Sequence, residues 1–324
     1  AELEDLYIHS WDPQVETQFE AVGRILRQHD PKVIGVNTCH FSGMSDGLTQ
    51  ALYEDFLRES VPGMEARVAS AQYLAIRWLE TRLPEELERY PAIYRISEEI
   101  LDEIYSLDTI LPGVTTTDDL EWHYAQRCSE LGLPCWFSPH FDLVRPGMES
   151  PQVHQTIQYG DLLHCDLGLV YLGLCTDTQR MAYLPHPGQQ PPIGLFTACQ
   201  AAVRFQDITT ANMLPGRTGN EILAASLAQA RAEGINAVLY THPIGVYGHS
   251  AGPTIGLTDN QVSVPFRGDI PLRENTCYAL ELNATALLPE WEQEVCFRLE
   301  ETIAVTAAGV HYLGDRAKDL TIIR

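Results

Sequence analysis

Along the first eighty residues the apolar positions switch between two periods. LYIHSW (residues 6–11), KVIGVN (32–37) and the run at 67–72 are short and apolar, and read as strands. Between them, QVETQFEAVGRILRQ (14–28) places Phe19, Val22, Ile25 and Leu26 on one helical face, and DGLTQALYEDFLRE (46–59) predicts a second helix. Such alternation belongs to a parallel sheet covered by helices. Three strands are few for a complete domain, so residues 1–82 read as part of an α/β domain whose front is missing.

From residue 83 the pattern changes. PEELERYPAIYRISEEILDEIYSLD is one long helical stretch, stopped by Leu-Pro-Gly at 111–113. The segment LPGVTTTDDLEWHYAQRCSELGLPCWFSPH (111–140) then recurs in outline as LPGRTGNEILAASLAQARAEGINAVLYTHP (214–243). Each copy carries Pro-Gly, a Thr or Asn cap region with acids in the first turn, an amphipathic helix, a terminating Gly and an aromatic-rich strand. Each is followed by a Gly-Asp turn into a further strand, GDLLHCDLG (160–168) and GDIPLRENTCYALELN (268–283). A period this long, seen twice, predicts a duplicated half-domain rather than a solenoid. Residues 83–324 therefore read as one α+β domain of two pseudo-twofold halves facing a shared cavity.

The chain has 324 residues, with 44 acidic against 21 basic and a formal charge of −23. A surface this negative repels phosphate backbones and anionic lipid, which excludes nucleic-acid and membrane-surface roles. No apolar run approaches the roughly 20 residues that span a bilayer. The opening AELEDLYIHSW lacks the basic start and apolar stretch of a signal peptide, and also lacks an initiating Met. Eight cysteines stand singly without a CxxC, which predicts free thiols in a reducing, cytoplasmic setting.

The acids that matter lie inside apolar strands. GDLLHCDLGLVYLGLCTDTQRMAYL (160–184) reads as a hairpin turning near Tyr171–Gly173, with Asp166 and Asp177, 11 apart, roughly opposite each other. Glu281 in YALELNAT and Glu300 in VCFRLEETIAVT repeat the anomaly in the second half. Any one of these reads equally well as a solvated strand residue. Four of them, two per half, are costly to bury unless a cation lies between them. His249, within a GHxxG, supplies an imidazole. Oxygen-dominated ligation with one imidazole suits Mn²⁺, Co²⁺ or Fe²⁺, and Zn²⁺ less selectively.

Asp166, Asp177, His249, Glu281 and Glu300, in that order, resemble the five metal ligands of the pita-bread metallopeptidases, the superfamily of methionine aminopeptidase, Xaa-Pro aminopeptidase, prolidase and creatinase. The local strings GVTTTDD, GDLLHCDLG, TDTQR, GRTGNEILAA and YTHPIG look closest to bacterial Xaa-Pro-peptidase-like members. The resemblance covers residues 83–324 and implies the pita-bread fold. It also implies two divalent metal ions, Mn²⁺ first and Co²⁺, Fe²⁺ or Zn²⁺ as alternatives, with a hydroxide between them that removes the first residue of a small peptide. Asp177 and Glu300 would bridge, and Glu281 would also carry a proton. Glu300 rather than Glu301 has the family's offset to Val305-Thr306, so Glu301 would point to the opposite face. Relatives with such a front domain associate through it, which implies a homodimer.

The sequence departs from the family at two histidines that hold substrate. One family position falls on Met148 or Glu149, with His154 and His140 the nearest imidazoles. The other, counted from His249, falls on Gly256, with His242 seven residues before His249 instead. His140, His154 and His242 are thus candidate catalytic groups or plain structural histidines. Arg180 either orients the bridging carboxylate or forms a salt bridge, His164 packs or bonds locally, and Trp122, Trp136, Phe137 and Trp291 line a pocket or the core. Three readings follow: an aminopeptidase-type di-metal hydrolase, a metal-dependent amide or guanidino hydrolase or lyase, and a catalytically silent binding module.

Overall fold

The structure is a computed structural model that describes residues 11–324. The chain divides into two compact units, one ending at Trp78 and the other running over Leu79–Arg324. In the first, Thr17 starts helix α1 (Gln18–His29) by accepting from the Glu20 amide while the Glu20 carboxylate accepts from the Thr17 amide, a complete capping box. Asp30, in the left-handed region, ends it. Strand β1 (Ile34–Val36), helix α2 (Gln50–Asp55), strand β2 (Val68–Ser70) and helix α3 (Gln72–Glu80) follow. β1 and β2 pair in parallel, Ile34 opposite Val68. Phe19, Val22 and Leu26 pack on Ile34, Val36, Phe56, Val61 and Met64. Gly23 is required there, because a Cβ would lie 2.8 Å from the Ser60 carbonyl oxygen. α2 begins later than its sequence pattern predicts because Thr49 caps it. The strand expected at 6–11 lies, Trp11 apart, outside the described residues.

The second unit opens with helices α4 (Pro84–Ile104) and α5 (Thr117–Glu130). Strand β3 (His140–Val144), β4 (Leu162–Leu167), the hairpin β5 (Val170–Tyr171) and β6 (Leu174–Cys175), and β7 (Thr178–Tyr183) complete its first half. Helices α6 (Ile193–Asn212) and α7 (Gly219–Ala232) open the second, followed by β8 (Asn236–Leu239), β9 (His242–Ile244), β10 (Thr276–Leu288) and β11 (Gln293–Thr306). Two short strands, β12 (Gly309–Tyr312) and β13 (Thr321–Ile322), finish the chain. Thr116 caps α5 with Asp119, and Thr218 caps α7 with Glu221, the same device in each half.

The main sheet runs β3-β4-β7-β11-β10-β8, with β9 also on β10, β12 on β11 and β13 on β7. Each half adds its last strand to the centre, so the order is palindromic about the β7–β11 seam. One sheet face carries Leu163, Cys165 and Ala182 against α4 and α5, and Leu280, Leu282, Ile303 and Val305 against α6 and α7. Strict alternation leaves the intervening residues on the other face. That second face is apolar at one end, with Val144, Leu162, Met181 and Tyr183, and polar where it holds the candidate site. All eight cysteines are free. Among the described residues, no helix is long and apolar enough to cross a membrane.

Candidate metal centre

A single cross-strand row builds the site. His140 on β3 registers with Asp166 on β4, Asp166 with Gln179 on β7, Gln179 with Glu300 on β11, and Glu300 with Glu281 on β10. Asp177 immediately precedes β7, two residues from Gln179 and on the same face. The hairpin tip is Leu172–Gly173, both with positive φ (52° and 76°). This register sets Asp166 opposite Gln179, not opposite Asp177 as a hairpin turning near Tyr171–Gly173 predicts. A slip of two residues preserves the face, so both carboxylates still point to one side.

β9 brings His242 to this row from the side, paired with Ala279. Its Nε2 lies 3.5 Å from Asp177 Oδ2, 3.8 Å from Glu281 Oε2 and 3.8 Å from Glu300 Oε1. Its Nδ1 donates to the Pro243 carbonyl at 3.1 Å, which leaves Nε2 as the atom aimed at the acids. Asp177, His242 and Glu300 offer ligand atoms that all lie within 4.8 Å of one another. His249 is more exposed, its ring 4.3 Å from that of His242 and 5.6 Å from that of Trp136. Trp136 is clamped between two glycines: a Cβ on Gly248 would lie 2.3 Å from its ring, and one on Gly168 2.2 Å from its Nε1.

Electrostatics make the cluster unstable as bare carboxylates. Burial, with the charges of Asp177 and Glu281, lifts Asp166 to about 8, and burial lifts Glu281 to about 7. Glu300 is likewise pushed well above its ordinary value, by burial first and then by the charges of Asp177, Glu281 and Asp166. Burial opposes the imidazolium of His242, yet Asp177 and Glu281 prevail and raise its pKa. Both carboxylate oxygens of Glu300 and Nε2 of His242 are buried without a hydrogen-bond partner. Unsatisfied acceptors of this kind cost several kcal/mol unless something positive sits among them. A divalent cation fits that donor set.

The remaining predicted residues are placed plainly. His140 lies at the row's outer end, its Nε2 3.2 Å from Asp142 Oδ2. His154 stands apart on the surface, paired with Asp118 at 2.7 Å. Glu301 points to the helix face, where Arg180 pairs with it at 2.9 Å and the Tyr94 hydroxyl donates to it. Arg180 is therefore a buried salt-bridge partner of Glu301. His164 is buried between Asp142 and Gln179. Phe137 meets Trp136 edge-on, Trp291 packs on the core beneath α6, and Trp122 is exposed. Asp142, Gln179 and Arg298 escape sequence reasoning; the one local sign was the pairing of His-x-Asp at 140–142 with His-x-Asp at 164–166.

A sequence profile described as "Metallopeptidase family M24" matches residues 88–307. A Bacillus subtilis (strain 168) protein named as the uncharacterised peptidase YqhT is 24% identical over 249 residues. That match covers 74% of this chain and 63% of the relative's length. The fold is similar to an X-Pro aminopeptidase from Thermotoga maritima, with a TM-score of 0.67 and 16% identity over 98% of this chain and 81% of that one. It is similar also to an Xaa-Pro dipeptidase from Bacillus anthracis (0.66, 18%, 95% and 79%). A methionine aminopeptidase from Thermotoga maritima matches the smaller share, at 0.53 and 18% over 72% of this chain and 98% of its own. The architecture is the pita-bread fold.

Proposed function

Because the chain belongs to metallopeptidase family M24, we propose that it is a hydrolase that removes the first residue of small peptides with Pro after the scissile bond, using two divalent cations. The observation that carries this is the buried, unpartnered set of Glu300 and His242 beside Asp166, Asp177 and Glu281. These five residues would hold the metals, Asp177 and Glu300 shared between them. The oxygen-rich set with one imidazole favours Mn²⁺. When bound, divalent cations supply Lewis acidity toward a scissile carbonyl and acidify water.

His242 takes the ligand role here in place of His249, since its Nε2 is the one aimed at the acids. Counting from His242, the family's substrate-holding histidine seven residues on is His249. That removes one of the two departures from the family pattern. His249, backed by Trp136, orients the substrate, and His140 stands ready at the opposite end of the row. Glu281, with Oε1 taken by the Gln179 amide, turns Oε2 toward the cluster, and its carboxylate is the group that carries the proton. The test is elemental analysis after dialysis against MnCl₂ and then metal-free buffer. The proposal expects about two ions per chain; a protein that retains none would sink it.

A further inference from the structure

Behind the acid row runs a second line of polar groups that the metal reading does not use. Asp142 on β3 is buried and accepts twice from Arg298, at 2.9 and 2.6 Å. The same carboxylate faces His140 Nε2 at 3.2 Å and His164 Nδ1 at 3.1 Å. His164 Nε2 lies 3.0 Å from Gln179 Oε1, and Gln179 Nε2 donates to Glu281 Oε1 at 2.6 Å. Asp142, His164 and Gln179 are each at most 3% exposed. The chain Arg298–Asp142–His164–Gln179 thus crosses β11, β3, β4 and β7 and ends on β10.

Gln179 is the uncharged member inside the acid row, between Asp166 and Glu300. An amide has one accepting and one donating end. With its oxygen against His164, the NH₂ end is left for Glu281. That contact occupies Oε1 and leaves Oε2 toward His242, 3.8 Å away. Arg298, fork to fork with Asp142, gives the far end of the chain a rigid anchor. Without it, a carboxylate among like charges would rotate away from its neighbours.

We propose that Gln179 is a positioning residue that fixes the Glu281 carboxylate so that it presents a single oxygen, Oε2, to the metal cluster, and that His164, Asp142 and Arg298 hold the Gln179 amide in that orientation. The proposal rests on the metal-centre reading above. Partners in this position typically change metal affinity by roughly 10- to 100-fold when removed.

The experiment compares Mn²⁺ binding by calorimetry, and thermal stability by circular dichroism, for wild type, Gln179→Met and Arg298→Met. The expected result is folded Gln179→Met with Mn²⁺ affinity weakened roughly 10- to 100-fold, and a smaller loss in Arg298→Met. For peptide turnover, kcat falls while KM stays close to wild type. Wild-type Mn²⁺ affinity in folded Gln179→Met, with or without a change in Tm, overturns the proposal. If Gln179→Met fails to fold, Arg298→Met decides: weakened affinity supports the proposal and unchanged affinity overturns it. A wild type that binds no Mn²⁺ overturns the metal reading itself, and this proposal with it.

Discussion

Glu281 and Glu300 stand directly opposite each other on adjacent strands of one sheet, both facing the cluster formed by Asp166, Asp177 and His242. Like charges in opposed positions destabilise a sheet, and burial multiplies the cost. Glu300→Leu is therefore expected to stabilise the chelator-treated protein by about 1–4 kcal/mol. The same variant loses the rise in Tm that Mn²⁺ gives wild type. Thermal unfolding with EDTA and with Mn²⁺ checks both halves, and a variant less stable than wild type in EDTA would contradict the charge argument.

The same acids set a pH dependence. Asp166 moves from an ordinary 3.8 to about 8, and Glu281 from 4.5 to about 7, so the metal-free folded state binds more protons than the unfolded chain. Their stabilising contribution is full below the ordinary values and is lost as pH rises through the raised ones. Metal-free protein is expected to lose stability between about pH 5 and about pH 8, while Mn²⁺ affinity rises over that range as binding displaces protons. Chemical denaturation and calorimetry at three pH values measure the two trends, which must have opposite signs.

The two histidines separate cleanly. His242→Ala removes the imidazole whose Nε2 sits 3.5 Å from Asp177, and should abolish tight metal retention. His249→Ala removes a ring stacked on the edge of the site and should keep the metals while losing turnover. Elemental analysis paired with a peptide assay distinguishes them. Retention of metal by His242→Ala would return the ligand role to His249.

On the helix face, Arg180 and Glu301 form a buried pair at 2.9 Å. Arg180→Met leaves Glu301 with the Tyr94 hydroxyl and the Ala317 amide but no counter-charge. The expected cost is about 3–5 kcal/mol, read by denaturant midpoint. The folded fraction should keep its metal stoichiometry, because this pair lies on the far side of the sheet from the acids.

Much of this was legible because it is local. The Thr116 and Thr218 capping boxes and the Leu-Pro-Gly stops follow from residues within four positions of one another, the doubled half from the recurrence of those local patterns, and strand alternation alone sends Glu300 and Glu301 to opposite faces. What was not legible depends on register between distant strands. The slip of Asp166 onto Gln179 is set by the positive-φ tip at Leu172–Gly173, which spacing cannot reveal. The exchange of roles proposed between His249 and His242 has a similar cause. The glycine of the GHxxG that drew attention to His249 is there for Trp136, and β9 pairing on β10 is what aims His242. Asp142 and Arg298 lie 156 residues apart and meet only across the assembled sheet.

The central claim is tested most directly by mass-spectrometric analysis of a tripeptide with Pro in second position, incubated with Mn²⁺-loaded and with chelated protein. The account predicts release of the free first residue by the loaded protein alone, and its loss in Glu281→Gln that still binds metal. Cleavage that survives chelation, or a metal-loaded wild type that leaves every Xaa-Pro peptide intact, would contradict it.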